Sequence, residues 1–476
     1  MPNDHLLLEI GSEELPPKSL RQLMLSLESN LSEQLGSAGF SFSTTRSYAT
    51  PRRLAVLIED LADKQSDQQI EKRGPAVSAA YDDKGEPTKA LLGFARSCGV
   101  EDPASLERLS SEKGEWVLYR GVQEGKCLQD EIEQLVANSV ANLPIDRNMR
   151  WGSKRLEFAR PVHWVALIYG SEILPANILG KETGRASRGH RFMSDGEIAI
   201  QNAKDYPATL EKASVIVDFE QRKQEIVKQL EDQASSLEAN LELDESLLDE
   251  VTALVEFPCV LSGSFGADFL EIPEEALISA MKKHQRYFHL TNDKDKLLAN
   301  FITVSNILSK DSSIVIAGNE RVIRPRLADA VFFFRKDSAT TMVEKLTRLQ
   351  SVVFQSELGT FYEKAERVSK LAGSIAKESQ IDEVASTRAG LLCKADLVSE
   401  MVNEFPDLQG TMGGYYAAND GEDEAVCNAI RQHYMPIFSG AGLPSNPVAS
   451  CVALADKLDT VVGLFAVGQP PSGSRD

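Results

Sequence analysis

Residues Glu256–Leu290, EFPCVLSGSFGADFLEIPEEALISAMKKHQRYFHL, decide how the rest of the chain is read. The apolar residues around Cys259 to Leu261 predict a short buried strand, and Gly263 and Gly266 punctuate a turn after it. A helix is expected next. Pro273 suits its first position because the missing N–H would have no partner there, and Glu274 and Glu275 sit where the helix dipole is positive. Leu277, Ala280, Met281, His284 and Phe288 recur at three-or-four spacing and predict the buried face, while Lys282, Lys283 and Arg286 make the helix end basic. Those three cations read either as charges matched to the dipole or as an anion-contacting edge in a very acidic protein.

Within this stretch the pattern FL-x-IP-x-EALI-x-x-M-x-x-HQRYF resembles the signature segment of the beta subunit of bacterial, tetrameric glycyl-tRNA synthetase. Further resemblance to that family lies in LLLEIGSEELPPKSL (6–20), YATPRRLAVLIEDLA (48–62), RGPAVSAAYDDKGEPTKALLGFARSCGV (73–100), the MRWG, RPVHW and RGHRFM words, and EFPDLQGTMGGYYA with LPSNPVA toward the end. The resemblance runs along essentially the whole chain.

A chain of 476 residues exceeds what one hydrophobic core supports, so about three domains are expected. The boundaries read as an α/β region at 1–145, a middle α+β domain at 146–340, a helical domain at 341–468 and a Gly/Pro/Ser linker at 469–476. The fold class expected is therefore multidomain α+β. No stretch is apolar enough for a membrane span and the N-terminus lacks a signal pattern, so a cytoplasmic protein is expected. The six cysteines form no CxxC pair and read as reduced thiols, with neither a zinc site nor a disulfide framework.

A formal net charge of −20 argues against indiscriminate nucleic-acid binding, because phosphate affinity comes from cations that displace counterions. Any RNA contact has to be local, and the charge is uneven. Nine Lys/Arg oppose three Glu between Arg147 and Arg191, fifteen acids oppose five bases between Glu197 and Glu256, and eight acids meet no base between Asp396 and Glu424. The first segment is the expected RNA face. Its candidate contacts are Arg150, Trp151, Lys154 and Arg155, then Arg185, Arg188, His190 and Arg191 in the loop GRASRGHRF, with Lys282, Lys283 and Arg286 added from the opening stretch. Basic groups beside an indole can hold phosphate and stack a base. His163 and His190 share no motif with a nearby acid or cysteine, so no metal is expected there, and Glu13 with Glu14 reads as an acidic helix start rather than a catalytic pair.

Elsewhere His5–Ile10, Arg53–Leu61 and Val162–Tyr169 read as buried strands. Leu20, Leu23, Met24, Leu27, Leu31 and Leu35 form a helical stripe, so strand, helix and strand suggest an α/β unit with a possible parallel pair. Asp205–Val255 predicts two helices around a turn near Ala239 and Asn240. Arg321, Arg324, Arg326 and Arg335 surround an apolar block beside Glu320 and Asp329, where internal ion pairs are the expected role. From Val343 onward helices are expected at Leu346–Phe354, Phe361–Lys377, Arg388–Phe405, Glu422–Tyr434 and Cys451–Phe465.

Two of those helices carry LLCKADLVSEMV and VALADKLDT, which resemble the metal-binding helices of HD-type phosphohydrolases. Asp396 matches the aspartate of the His-Asp pair and Asp456 the later aspartate, but Ala395 stands at the histidine position and no histidine occurs between His289 and His433. These are read as degenerate HD positions holding no metal, because two carboxylates without imidazoles make a poor transition-metal site. His433, in QHYMP, reads as a capping histidine at a helix end.

No Walker-type loop or Gly-rich cofactor fingerprint is present, and no catalytic residue is assigned to this chain. The family resemblance implies that ATP, Mg²⁺ and the catalytic centre belong to a separate alpha subunit in an alpha2beta2 assembly, while this chain binds and positions tRNA(Gly). It also implies a middle domain from about Arg147 to Asn306 like that of the phenylalanyl-tRNA synthetase beta subunit, and an anticodon-binding domain beyond the present last residues. The rival readings are a stand-alone HD phosphohydrolase and a scaffold that holds alpha chains without touching RNA.

Overall fold

The computed structural model describes residues 3–82, 85–111, 114–152 and 155–470. The chain groups into two compact units, one comprising residues up to Glu225 with Leu248–Pro258 and the other Ile226–Leu247 with the chain from Cys259 onward. The segment 146–340 is thus shared between the two.

The first unit is built on a five-stranded sheet in the order Glu172–Ile173, Val162–Tyr169, Asp4–Ser12, Arg53–Leu61, Thr45–Thr50. Every neighbouring pair is antiparallel, so the possible parallel pair does not occur. The reason is an extra strand. After helix Pro17–Ser37 the chain runs out along Thr45–Thr50 and reverses at Pro51 and Arg52, which sends Arg53–Leu61 back against the first strand.

Alternation along the first strand sends Leu6, Leu8 and Ile10 into a core with Leu20, Leu23, Leu27 and Leu31 of that helix and Ile132 and Val136 of helix Leu128–Ala141. Leu7 points to the opposite face, where it meets Tyr206 and Leu210 of a short helix, Tyr206–Lys212. Glu9 and Gly11 share that second face by the same period of two. A separate three-stranded sheet pairs Gln68–Ala76 and Glu107–Ser111 with Gly114–Gln123.

The acidic middle holds three helices rather than two: Tyr206–Lys212, Phe219–Ser236 and Glu245–Leu254. The loop of Gly184–Phe192 is partly a strand, with Ala186–Arg188 pairing antiparallel to Glu197–Ala199.

In the second unit a four-stranded antiparallel sheet runs Asn240–Leu241, Phe288–Thr291, Leu297–Ser305, Cys259–Ser264. Helix Glu274–Ala280 begins one residue later than expected, with Pro273 as its N-cap, and closes in a π-type turn at Met281–Gln285. Arg286 then takes a left-handed conformation at φ 55°, so Phe288 lies in a strand instead of on the helix face. That reversal carries Tyr287 inward, where its ring stacks 4.4 Å from Phe301.

Helix Ser312–Ser338 follows as one 27-residue element with Pro325 inside it. The expected helix Arg388–Phe405 is broken into Glu383–Leu392, a 3-10 turn at Ala395–Val398 and Glu400–Glu404, the last restarted by Ser399 as N-cap. Leu346–Phe354 is likewise shortened to a helix at Met342–Arg348, and helix Thr411–Asn419 is an element the apolar pattern does not predict. Two helices cross closely where Gly390 meets Ser369, since a Cβ there would lie 2.9 Å from the Ser369 Cα.

Candidate nucleic-acid interface

Antiparallel register places Arg53, Gly11 and Trp164 in one row across three adjacent strands. The indole fills the space that a side chain on Gly11 would need, and a Cβ there would sit 1.9 Å from its Cε2. Two small residues in the neighbouring row, Ala55 and Ala166, flank Glu9 and leave room for its carboxylate. Glu9 Oε1 accepts from Arg53 Nη1 at 3.0 Å, from the Ser187 hydroxyl at 2.8 Å and from the Tyr206 hydroxyl at 3.3 Å.

Arg53, fully buried, also donates to Glu256 Oε1 at 3.0 Å and to the Arg188 carbonyl at 2.9 Å. Two carboxylates around one guanidinium, each hydrogen-bonded, satisfy the condition under which buried charge is tolerated. The net effect holds Glu256 below the usual carboxylate range, because Arg53, the Thr50 hydroxyl and Arg52 outweigh the upward push of burial.

Arg52 is placed differently. It is half-buried, its Nε has no protein partner, and burial together with Arg53 and Arg191 lowers its pKa. Its guanidinium lies 5.9 Å from the Trp164 ring, with Arg53 at 5.7 Å and Arg188 at 5.1 Å. Trp164 is 8 % exposed, and its Nε1 likewise has no protein partner. Beside this cluster His163 Nε2 lies 2.7 Å from Glu13 Oε1, and this pairing lowers the Glu13 pKa.

The residues singled out from sequence are distributed as follows. Arg188 joins the indole cluster, and Arg191 is exposed nearby with its charge felt by Arg52 and Glu13. His190 is buried, with Nδ1 accepting from the Phe192 N–H at 3.2 Å and Nε2 left without a protein partner. Arg185 is turned to the Ser171 carbonyl and Gln201.

Arg150 is spent on an ion pair with Glu157, Trp151 packs half-buried against the sheet core, and Arg155 is exposed at the rim of a groove lined by Val140, Leu156 and Ile178. Lys154 lies outside the described residues. In the second unit Lys282 pairs with Asp244 at 3.4 Å, Lys283 pairs with Asp407, and Arg286 donates to the His284 carbonyl at 3.4 Å.

Sequence reading misses Arg52 and Trp164, which enter only through strand register. It also misreads Arg321, Arg324 and Arg326. Those three are exposed on helix Ser312–Ser338 and pair with no acid among the described residues, while Glu320 instead accepts from Ser264 and only Arg335 of the four pairs, with Glu271 at 3.2 Å.

The two aspartates that the sequence reading places at degenerate HD positions, Asp396 and Asp456, have surroundings that do not suit a metal. Lys394, 3 % exposed, donates from Nζ to Asp456 Oδ2 at 2.8 Å and lies 2.9 Å from His433 Nε2, so an ammonium group already bridges the carboxylate and the imidazole. Lys364 holds the other Asp456 oxygen at 3.1 Å. Asp396 instead accepts from the Gly410 and Gly413 N–H groups at 2.6 and 3.0 Å. Burial raises its pKa to about 6, whereas Asp456, although buried, is brought down to about 2 by Lys394 and Lys364. Among the described residues no cluster of three metal-ligating side chains occurs.

Residues 6–476 match the glycyl-tRNA synthetase beta subunit family. The glycine–tRNA ligase beta subunit of Haemophilus influenzae is 48% identical over 477 residues, covering 100% of this chain and 69% of that protein. Those of Alteromonas mediterranea and Pasteurella multocida are also 48% identical, with the same coverage. The chain belongs to the glycyl-tRNA synthetase beta subunit family.

Proposed function

We propose that this chain serves glycine–tRNA ligase by binding tRNA(Gly) and presenting its acceptor end to an alpha subunit that carries ATP, glycine and the chemistry. Family membership supports the assignment, and the observation that carries the binding role is the gathering of Arg52 and Arg188 around Trp164, with the charge of Arg191 felt at Arg52, in an otherwise anionic protein. Guanidinium groups suit phosphate because their planar forks donate in pairs. Holding one reactant in place lowers the entropic cost of the bimolecular step, which is how a subunit without a reacting group accelerates a reaction. An alpha2beta2 stoichiometry fits this division of labour.

The helical part of the second unit is read as an HD-like scaffold whose cation is Lys394, and the segment ahead of it as akin to the phenylalanyl-tRNA synthetase beta middle domain. A phosphohydrolase role finds no support in the donor set. The test is reconstitution: purified alpha subunit, tRNA(Gly), glycine and ATP are assayed for glycyl-tRNA with and without this chain. Glycylation that rises on adding it supports the reading, and a rate indifferent to it contradicts it.

A further inference from the structure

We propose that Arg52, Arg188 and the Trp164 Nε1–H, with Arg191 at the rim, form a defined site for a phosphate oxyanion at the end of the five-stranded sheet. The proposal rests on the tRNA-binding reading but is narrower, since it names one seat and its donors.

Four observations carry it. The first is chemistry: the Trp164 Nε1–H is a donor only, as is the Arg52 Nε–H, and neither has a protein acceptor although both are buried. A buried donor without an acceptor is destabilising, and both belong to side chains of one cluster, so they favour a ligand made of acceptors. The second is charge. Arg53 is consumed by Glu9 and Glu256, but the Arg188 and Arg191 guanidinium groups meet no acceptor among the described residues, and Arg52 has Arg53 and Arg191 beside it as well as Glu256 and Glu13. Guanidinium groups without acceptors suit an anion.

The third is access, because Arg188 and Arg52 are half-exposed and Arg191 is exposed, whereas the indole that anchors them is not. The fourth is rigidity. Arg52 sits in the two-residue reversal between paired strands, the Arg188 backbone is fixed by pairing with Glu197 and by Arg53, and the indole is wedged over Gly11. Donors held this firmly lose little freedom on binding. The acids that face the site, Glu13 and Glu256, are already engaged by His163 and by Arg53 with Thr50.

A backbone phosphodiester of RNA and a free phosphate such as pyrophosphate offer the same oxygens. The experiment follows the Trp164 side chain in the full chain labelled with 5-fluorotryptophan, its resonance assigned by Trp164→Phe, during separate titrations with inorganic pyrophosphate and with tRNA(Gly) at low salt. A saturable shift with pyrophosphate assigns the site to a free phosphate, and one with tRNA alone assigns it to a phosphodiester.

In either case Arg188→Met weakens binding about tenfold, since it removes charge-assisted hydrogen bonds, and Arg188→Lys recovers part of the loss. Arg188→Met is expected to keep the wild-type melting temperature, because the guanidinium holds no acceptor among the described residues, and Arg52→Gln serves as the second variant. A Trp164 signal that stays still in both titrations, or variants that bind as tightly as wild type, overturns the site. If tRNA still binds the chain while Trp164 stays still, only this seat fails and the tRNA-binding role stands.

Discussion

Trp164 lies over Gly11 so closely that the glycine has no room for even a methyl group, and this packing fixes the indole between Arg52, Arg53 and Arg188. Gly11→Ala must therefore expel the ring or bend the central strand. Overpacking of this kind costs about 1–3 kcal/mol. Chemical denaturation is expected to show a loss in that range, together with weakened tRNA binding, because the ring that spaces the arginines has moved.

Arg53→Met tests the buried triad. The substitution removes the guanidinium that bridges Glu9 and Glu256, whose side chains are both almost fully buried. Removing one partner of a buried ion pair costs about 3–5 kcal/mol. The double variant Arg53→Met with Glu256→Gln should recover part of that loss, which urea titration of the first unit measures.

In the second unit the prediction concerns acid. Burial, then Lys394, lowers the His433 pKa to about 3, so the folded chain refuses a proton that the unfolded chain accepts below the ordinary imidazole value of 6.5. Stability from this group is present above pH 6.5 and falls as pH drops through about 3. Asp456, lowered to about 2, adds a loss below its unfolded value of 3.8. Asp396 runs the other way. Its raised pKa of about 6 favours the folded state as pH falls from 6 toward 3.8 and offsets part of the His433 effect there. His433→Asn should flatten the pH dependence by up to about 1.4 kcal/mol per pH unit between 6.5 and 3. Urea midpoints at pH 7, 5 and 4 for both proteins decide it.

Much of this fold is legible in the sequence where a single element decides its own burial. Val162–Tyr169 and Arg53–Leu61 occur as read because their apolar stretches, 164–168 and 54–58, are of strand length and have little alternative, and the leucine stripe of Pro17–Ser37 is buried as its period requires. What could not be read is pairing. Thr45–Thr50 is too polar to announce itself, and its presence turns a possible parallel pair into an antiparallel one.

Helix Thr411–Asn419 is masked by two glycines, which read as loop but sit where a Cβ would crowd Asp396 or Arg431. The candidate site divides in the same way. Arg188 and Arg191 stand out as a dense run of cations, but Gly11, Arg52 and Trp164 come from three separate words that only strand register joins. Lys394 offers no signal in LLCKADL, where a lone lysine reads as a surface charge and its two buried partners lie 39 and 62 residues away.

The central claim, that an acidic chain holds tRNA through a small set of arginines around Trp164, is tested most directly by fluorescence anisotropy of labelled tRNA(Gly) across a salt series. Wild-type protein is compared with the triple variant Arg52→Gln, Arg188→Met, Arg191→Gln. The three arginines share one phosphate seat, so the slope of log affinity against log salt should become shallower by about 0.7 to 0.9, with a large drop in affinity at low salt. An unchanged slope with unchanged affinity would contradict the account.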